Sequence, residues 1–290
     1  MFSLRSRGGC GKVAPVKNLV FLLLGLAGLV GAAGIALYLF QDKLIYFPRP
    51  YSNGDLDGFA ARGGKCLPFS TPHGAQTAFY LPCQGVPRQI WCCFAGNGGQ
   101  ALAWETFARA NATDGRAFLL VEWPGYGASE GKPSPATIRE SVRGATNALA
   151  AHLGLPLETV RSRCAVTGHS LGCAGALIAA GELGACQAVL FAPFTSLREM
   201  AVLRKGPLIA QLLKHDYDNR TALDNLAVRP GARVTIFHGT EDEVIPIRMA
   251  RALRERHPGT VRLIELPGLG HGGLFAAAST DLASAMALEP

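Results

Sequence analysis

The pentapeptide Gly168-His169-Ser170-Leu171-Gly172 sets one serine between two glycines. The apolar run Cys164-Ala165-Val166-Thr167 leads in, and an alanine-rich stretch of helical length, 174–180, leads out. A strand, a sharp turn and a helix in that order expose a serine oxygen beside the positive end of the helix. The flanking glycines let strand and helix approach closely. A serine hydroxyl is a poor nucleophile until a neighbouring base takes its proton. The chemistry implied is acyl transfer through a covalent acyl-serine, so the rest of the chain must supply an imidazole, an acid and donors for an oxyanion.

The expected base is His271, in the glycine-rich Gly268-Leu269-Gly270-His271-Gly272-Gly273 that follows the strand candidate Val261–Leu266. The expected acid is Asp242, in His238-Gly239-Thr240-Glu241-Asp242 after the run 234–237. Serine, acid and histidine then follow in the order that goes with a nucleophile turn of this kind. Asp242 would accept the proton on the far nitrogen of His271, fix its tautomer and stabilise the imidazolium. Glu241 and Glu243 flank Asp242 as alternative acids. Among the other histidines, His169 is expected to point away from the site, and His238 to shape the acid loop.

Gly96-Asn97-Gly98-Gly99 follows the run Gln89–Phe94 and can aim backbone N–H groups at an oxyanion. Asn97 is the expected first donor, Gly98 its alternative, and Leu171 the second donor. Extended through Gln100 and Ala101, the same stretch fits G-x-G-x-x-A, with Glu122 about 20 residues on, a dinucleotide-binding fingerprint. That reading leaves the serine turn, the acid loop and His271 unexplained, so the hydrolytic one is preferred and no cofactor is expected. The eight cysteines form no C-x-x-C pair and no zinc spacing, so no metal is expected either. Cys66 and Cys83 flank a strand pair and are a candidate disulfide in an oxidising compartment.

These residues need a scaffold. Strand candidates at 78–81, 89–94, 117–122, 164–167, 188–191, 234–237 and 261–266 are separated by helix-length stretches such as 134–153 and 171–181. The alternation predicts an α/β fold, a mostly parallel twisted sheet with helices on both faces and ligands at the carboxyl ends of its strands. Residues 41–290 fit one such domain. Its only room for a small cap is 193–231, where 200–203 and 207–213 are apolar. They suit packing against the sheet or, more sharply, an acyl-chain groove.

Leu19 to Phe40 carries no charge and is apolar all round, which predicts a transmembrane anchor over 19–40 rather than a cleaved signal. Arg5, Arg7, Lys12 and Lys17, in a basic segment over 1–18, outnumber Lys43 and Arg49 beyond the span. That bias puts the N-terminus in the cytoplasm and the catalytic domain on the periplasmic or luminal side. Net charge is +7 and hydrophobic residues make up 49%. The arginines are dispersed without an aromatic-interleaved cluster, so a nucleic-acid partner is excluded. The expected partners are the bilayer and a lipid or other ester substrate, including an acylated protein.

Four stretches together resemble the α/β-hydrolase superfamily. They are Gly96-Asn97-Gly98, Gly125-Tyr126-Gly127-Ala128-Ser129-Glu130-Gly131-Lys132-Pro133-Ser134, the serine pentapeptide, and His238 through Pro246. Tyr38-Leu39-Phe40-Gln41-Asp42 and Phe194-Thr195-Ser196-Leu197-Arg198-Glu199-Met200-Ala201 resemble its single-span, bud-emergence-type branch. The resemblance covers nearly the whole chain and implies Ser170, Asp242 and His271 as a triad. Relatives of that kind are esterases, lysophospholipid or monoacylglycerol lipases and protein depalmitoylases. Phe94-Ala95-Gly96 departs from the pattern, since many relatives carry His-Gly before the Asn. A prolyl-oligopeptidase-type peptidase would need a large domain over the site, for which the chain has no room. A silent scaffold or receptor would commonly have lost one of the three residues.

Overall fold

The computed structural model describes residues 16–287. Arg5, Arg7 and Lys12 lie outside the described residues. The chain divides into two compact units, with the boundary between Asp42 and Lys43.

The first unit is built on the helix Val16–Phe40. Its stretch Asn18–Phe40, of 23 residues and mean hydropathy 2.5, is long and apolar enough to cross a membrane. At about 1.5 Å per residue such a helix exceeds the ~30 Å hydrocarbon core. A signal sequence meets the same test of length and composition.

The second unit is an eight-stranded sheet: β1 (Lys65–Thr71), β2 (Gly74–Leu81), β3 (Gln89–Phe94), β4 (Arg116–Val121), β5 (Cys164–His169), β6 (Gln187–Phe191), β7 (Arg233–Gly239) and β8 (Val261–Leu266). Their spatial order is β1-β2-β4-β3-β5-β6-β7-β8. β2 runs antiparallel to both its neighbours, and the pairs from β4 to β8 are parallel. Every residue of β3 and β4 is buried, as strands covered on both faces must be. Period-two alternation sorts β3 between two cores. Ile90, Cys92 and Phe94 join the one that includes the helices Pro135–Leu153 and Leu171–Leu183. Trp91 and Cys93 join the one that holds Phe59, Trp104, Phe107 and Phe237.

Helix limits follow local chemistry. Ser134 caps Pro135–Leu153 by accepting the Thr137 N–H at 3.1 Å, and Gly154 ends it in a left-handed conformation at φ 64°.

Three expectations change. β1 is a strand the hydropathy pattern hides, because as an edge strand it buries only Leu67 and carries Pro68. Cys66 and Cys83 are separate thiols. Cys66 pairs with Phe79, while Cys83 lies two residues past the end of β2. The third change concerns the 193–231 segment. Leu197–Lys205 buries none of its residues, and Val202 and Leu203 face solvent, as do Leu208 (80% exposed) and Ile209 in the following turn Pro207–Ala210. Leu197 and Met200 pack partly buried against the core, beside the buried Leu223 and Leu226 of Asn219–Ala227.

Candidate active site

Ser170 sits at the carboxyl end of β5 with φ 55° and ψ −122°, a left-handed conformation that a serine adopts only under constraint. The constraint is visible in the backbone. Ser170 N–H donates to the Phe191 carbonyl at 2.9 Å, and Cys173 N–H donates to the Ser170 carbonyl at 3.0 Å. Gly172 is required by contact, since a Cβ there would lie 2.1 Å from the Phe94 oxygen and 2.7 Å from the Ala95 oxygen. At Gly168 it would lie 2.2 Å from the Gly172 oxygen. Only hydrogen at both positions lets the helix Leu171–Leu183 start this close to β3 and β5.

Asp242 and His271 come from the loops after β7 and β8. His271 Nδ1 lies 2.8 Å from Asp242 Oδ2. The other carboxylate oxygen, Oδ1, accepts the N–H groups of Val244 (2.9 Å) and Ile245 (2.7 Å). Glu241 and Glu243, the alternative acids, are exposed. Burial works against the Asp242 charge. Hydrogen bonds from His238, His271 and Ile245 outweigh it and hold the carboxyl well below the usual range.

His238 is fully buried and flanks the acid on its other side. Its Nε2 lies 2.8 Å from the Ile245 carbonyl and 3.3 Å from Asp242 Oδ2, so Nε2 carries the proton. The sequence places His238 in the acid loop, but only the packing makes it a second imidazole on the acid.

His169 does not point away. Its ring lies 4.8 Å from that of His271, centroid to centroid, and its Nε2 donates to the His271 carbonyl at 3.1 Å. The residue is the last of β5, and side-chain alternation would have it leave the serine's face. The kink at Ser170 redirects the chain and leaves His169 beneath the His271 loop. Burial, and then the neighbouring His271, push the His169 imidazole down to about 4. Among the described residues no hydrogen bond joins Ser170 to His271; the two loops touch through His169 instead.

The glycine-rich loop after β3 runs beside the serine turn, since a Cβ on Gly96 would lie 3.4 Å from Ser170 Cβ. Trp123 Nε1 donates to the Ala95 carbonyl at 2.9 Å and pins the loop's start. Asn97 Oδ1 accepts from Phe47 N–H (3.1 Å) and the Tyr126 hydroxyl (3.0 Å). Leu171 opens its helix, where first-turn N–H groups have no intrahelical partner. The sequence reading of Asn97 concerned its backbone and missed its side chain. Tyr126 was visible only as part of a motif.

Glu122, to which a dinucleotide fingerprint would assign a ribose, is 2% exposed. It accepts the Tyr51 hydroxyl and the N–H groups of Ala101 and Trp123. Its carboxylate is therefore already engaged. Burial raises it to about 7 against these donors. No group of three or more His, Cys, Asp or Glu among the described residues could hold a metal.

No protein-family model matches the chain. It is 27% identical over 249 residues to an uncharacterised protein of Mycobacterium tuberculosis, covering 83% of this chain and 84% of that one. It is 28% identical over 155 residues to alpha/beta hydrolase domain-containing protein 17C of Xenopus tropicalis, covering 53% of this chain and 46% of that protein. Among solved structures, an alpha-beta hydrolase from Vibrio vulnificus superposes with TM-score 0.66 at 18% identity, covering 85% of this chain and 92% of that one. An esterase of Pyrococcus furiosus superposes with TM-score 0.62 at 13% identity, covering 83% and 94%. With its strand order and its strained turn after β5, the chain has the α/β-hydrolase fold.

Proposed function

We propose that this protein is a membrane-anchored serine hydrolase that cleaves carboxylic esters or thioesters through an acyl-Ser170 intermediate. The observation that carries the reading is the 2.8 Å contact of His271 Nδ1 with the buried Asp242, in a loop seated against the turn that bears Ser170. Asp242 keeps the proton on Nδ1, which leaves Nε2 as the base. His271 takes the Ser170 proton as Oγ attacks the acyl carbon, then delivers it to the leaving oxygen or sulfur. Water repeats the cycle on the acyl-serine. The backbone N–H groups of Leu171 and Asn97, with Gly98 as the alternative to Asn97, stabilise the oxyanion.

The bud-emergence-type branch and a lipid or acylated substrate are part of the same proposal. They are supported by the apolar helix Asn18–Phe40 and by the outward-facing Val202, Leu203, Leu208 and Ile209 of the cap over 193–231. An anchor over 19–40 raises the concentration of lipid esters at the site. The catalytic domain over 41–290 then lies on the periplasmic or luminal side, in keeping with the lysines and arginines before the span.

A fluorophosphonate should label the wild type at Ser170. Ser170→Ala should remove the label and lower turnover by about 10⁶-fold. Activity on p-nitrophenyl esters should rise with acyl length. Hydrolysis by Ser170→Ala at the wild-type rate would refute the mechanism, and a flat chain-length profile would refute the lipid preference.

A further inference from the structure

Residues 43–52 lead from the apolar helix to the helix Asn53–Ala61 without regular structure beyond Ile45, yet this is no slack linker. The stretch is bound along its length to the loops around Ser170. Phe47 N–H is shared between the Tyr126 hydroxyl (2.9 Å) and Asn97 Oδ1 (3.1 Å), and Asn97 Nδ2 donates back to the Ile45 carbonyl. Further on, the Arg49 carbonyl accepts Gly127 N–H at 3.0 Å, and the Pro50 carbonyl accepts Gln100 Nε2 at 2.8 Å. Tyr51 then closes on Glu122 at the start of the short helix Ala101–Trp104. The glycine-rich loop 96–100 is thus gripped at both ends by one strap.

Tyr126 is the centre of this arrangement. It is 1% exposed, its hydroxyl donates to Asn97 Oδ1, and the same oxygen receives Phe47 N–H. Four glycines in and around the loop, at 96, 98, 99 and 125, leave its backbone few restraints of its own. A donor that must meet an oxyanion within a few tenths of an ångström needs a rigid support. Here that support comes from the strap through one hydroxyl and one amide. The His-Gly-Asn of many superfamily members reads Ala-Gly-Asn in this chain, so the loop lacks a histidine brace and leans on the strap instead.

We propose that residues 45–51 are a working part of the active site, and that Tyr126 is the positioning residue through which they hold the Asn97 N–H in line with the oxyanion. This rests on the hydrolase reading of Ser170. An incidental tether would stabilise the fold without favouring the transition state over the bound substrate.

The test uses the full chain in detergent micelles, with p-nitrophenyl butyrate turnover and amide hydrogen exchange read on Tyr126→Phe, Phe47→Pro and Phe47→Ala. Phe47→Pro deletes the shared N–H, and Phe47→Ala removes the same exposed ring but keeps it. Tyr126→Phe and Phe47→Pro should each lower kcat about tenfold with KM within about twofold, a partial loss of one oxyanion donor. Both should speed exchange at residues 96–100 about tenfold, with the strands unaffected. Phe47→Ala, which loses the ring but keeps the N–H, should lose less kcat and speed exchange at 96–100 less than Phe47→Pro. Unchanged exchange at 96–100, unchanged kcat, or a Phe47→Ala variant as impaired as Phe47→Pro would each overturn the proposal. Ser170→Ala is measured alongside. Wild-type hydrolysis by it would end the hydrolase reading, while exchange at 96–100 in the other variants would still show whether the strap holds the loop.

Discussion

Replacing Asp242 by Asn exchanges one carboxylate oxygen for an amide nitrogen and should disable the base. The carboxylate has no spare acceptor. Oδ1 takes the N–H groups of Val244 and Ile245, and Oδ2 faces His271 Nδ1 at 2.8 Å and His238 Nε2 at 3.3 Å. Two backbone donors on Oδ1 oblige the asparagine to keep its oxygen there. Its Nδ2 then occupies the Oδ2 position and donates to His271 Nδ1. The imidazole proton moves to Nε2, the nitrogen that must accept from Ser170. A tautomer error of this kind costs about 10⁴ in turnover, or about 5 kcal/mol of transition-state stabilisation, with the backbone oxyanion donors intact. Folding should lose less, about 1.5–3 kcal/mol for hydrogen bonds to a charged group. Because the Asp242 carboxyl is held below its ordinary value of about 3.9, its share of stability is present above that pH and lost on acidification below it. The measurements are kcat/KM on p-nitrophenyl butyrate at pH 7, the fluorophosphonate labelling rate, and urea denaturation. A kcat/KM within about tenfold of wild type in a folded variant would refute the reasoning, since an error in the base cannot cost so little.

Gly172→Ala should fail in another way. Its Cβ would meet the Phe94 and Ala95 carbonyls at 2.1 and 2.7 Å, so relief requires the helix to back away from β3. A stability loss of about 3 kcal/mol or more, with little soluble protein and no fluorophosphonate label, is expected on expression and denaturation. His169→Phe keeps a ring beside His271 but removes the hydrogen bond to its carbonyl. It should cost about 1 kcal/mol and lower kcat at constant KM, as steady-state kinetics would show. In the wild type, His169 is lowered to about 4, so its contribution is present above about pH 6.5 and drains away as pH falls toward 4. The wild type should therefore have the higher denaturation midpoint at pH 7, and that lead should vanish and reverse by pH 4.5. Glu122 has the opposite sign. Raised to about 7, it supports the fold fully below about pH 4.5 and loses that support as pH rises through 7. Glu122→Gln should thus gain up to about 3 kcal/mol relative to wild type between pH 5 and pH 8, read from thermal melts.

Local patterns carried the scaffold. The strand Gln89–Phe94 was legible to the residue, because burial on both faces demands a nearly unbroken apolar run. The edge strand Lys65–Thr71 was not, because one buried side chain leaves no period to detect. The outward turn of Val202 and Leu208 was also hidden, since hydropathy reports what a residue tolerates and not which neighbour it meets.

The pentapeptide at Ser170, with a strand before it and a helix after it, determined by itself where a strained serine would stand, because the glycines that permit so sharp a turn are local requirements. The order of Ser170, Asp242 and His271 along the chain was likewise there to read. Only the tertiary structure decided which of three neighbouring acids meets His271, that His169 turns toward the site, that His238 shares the acid, and that residues 45–51 grip the loop at Asn97. Each of these joins groups from 4 to more than 100 positions apart, and such contacts are set by how strands order themselves in a sheet, which no short window of sequence encodes.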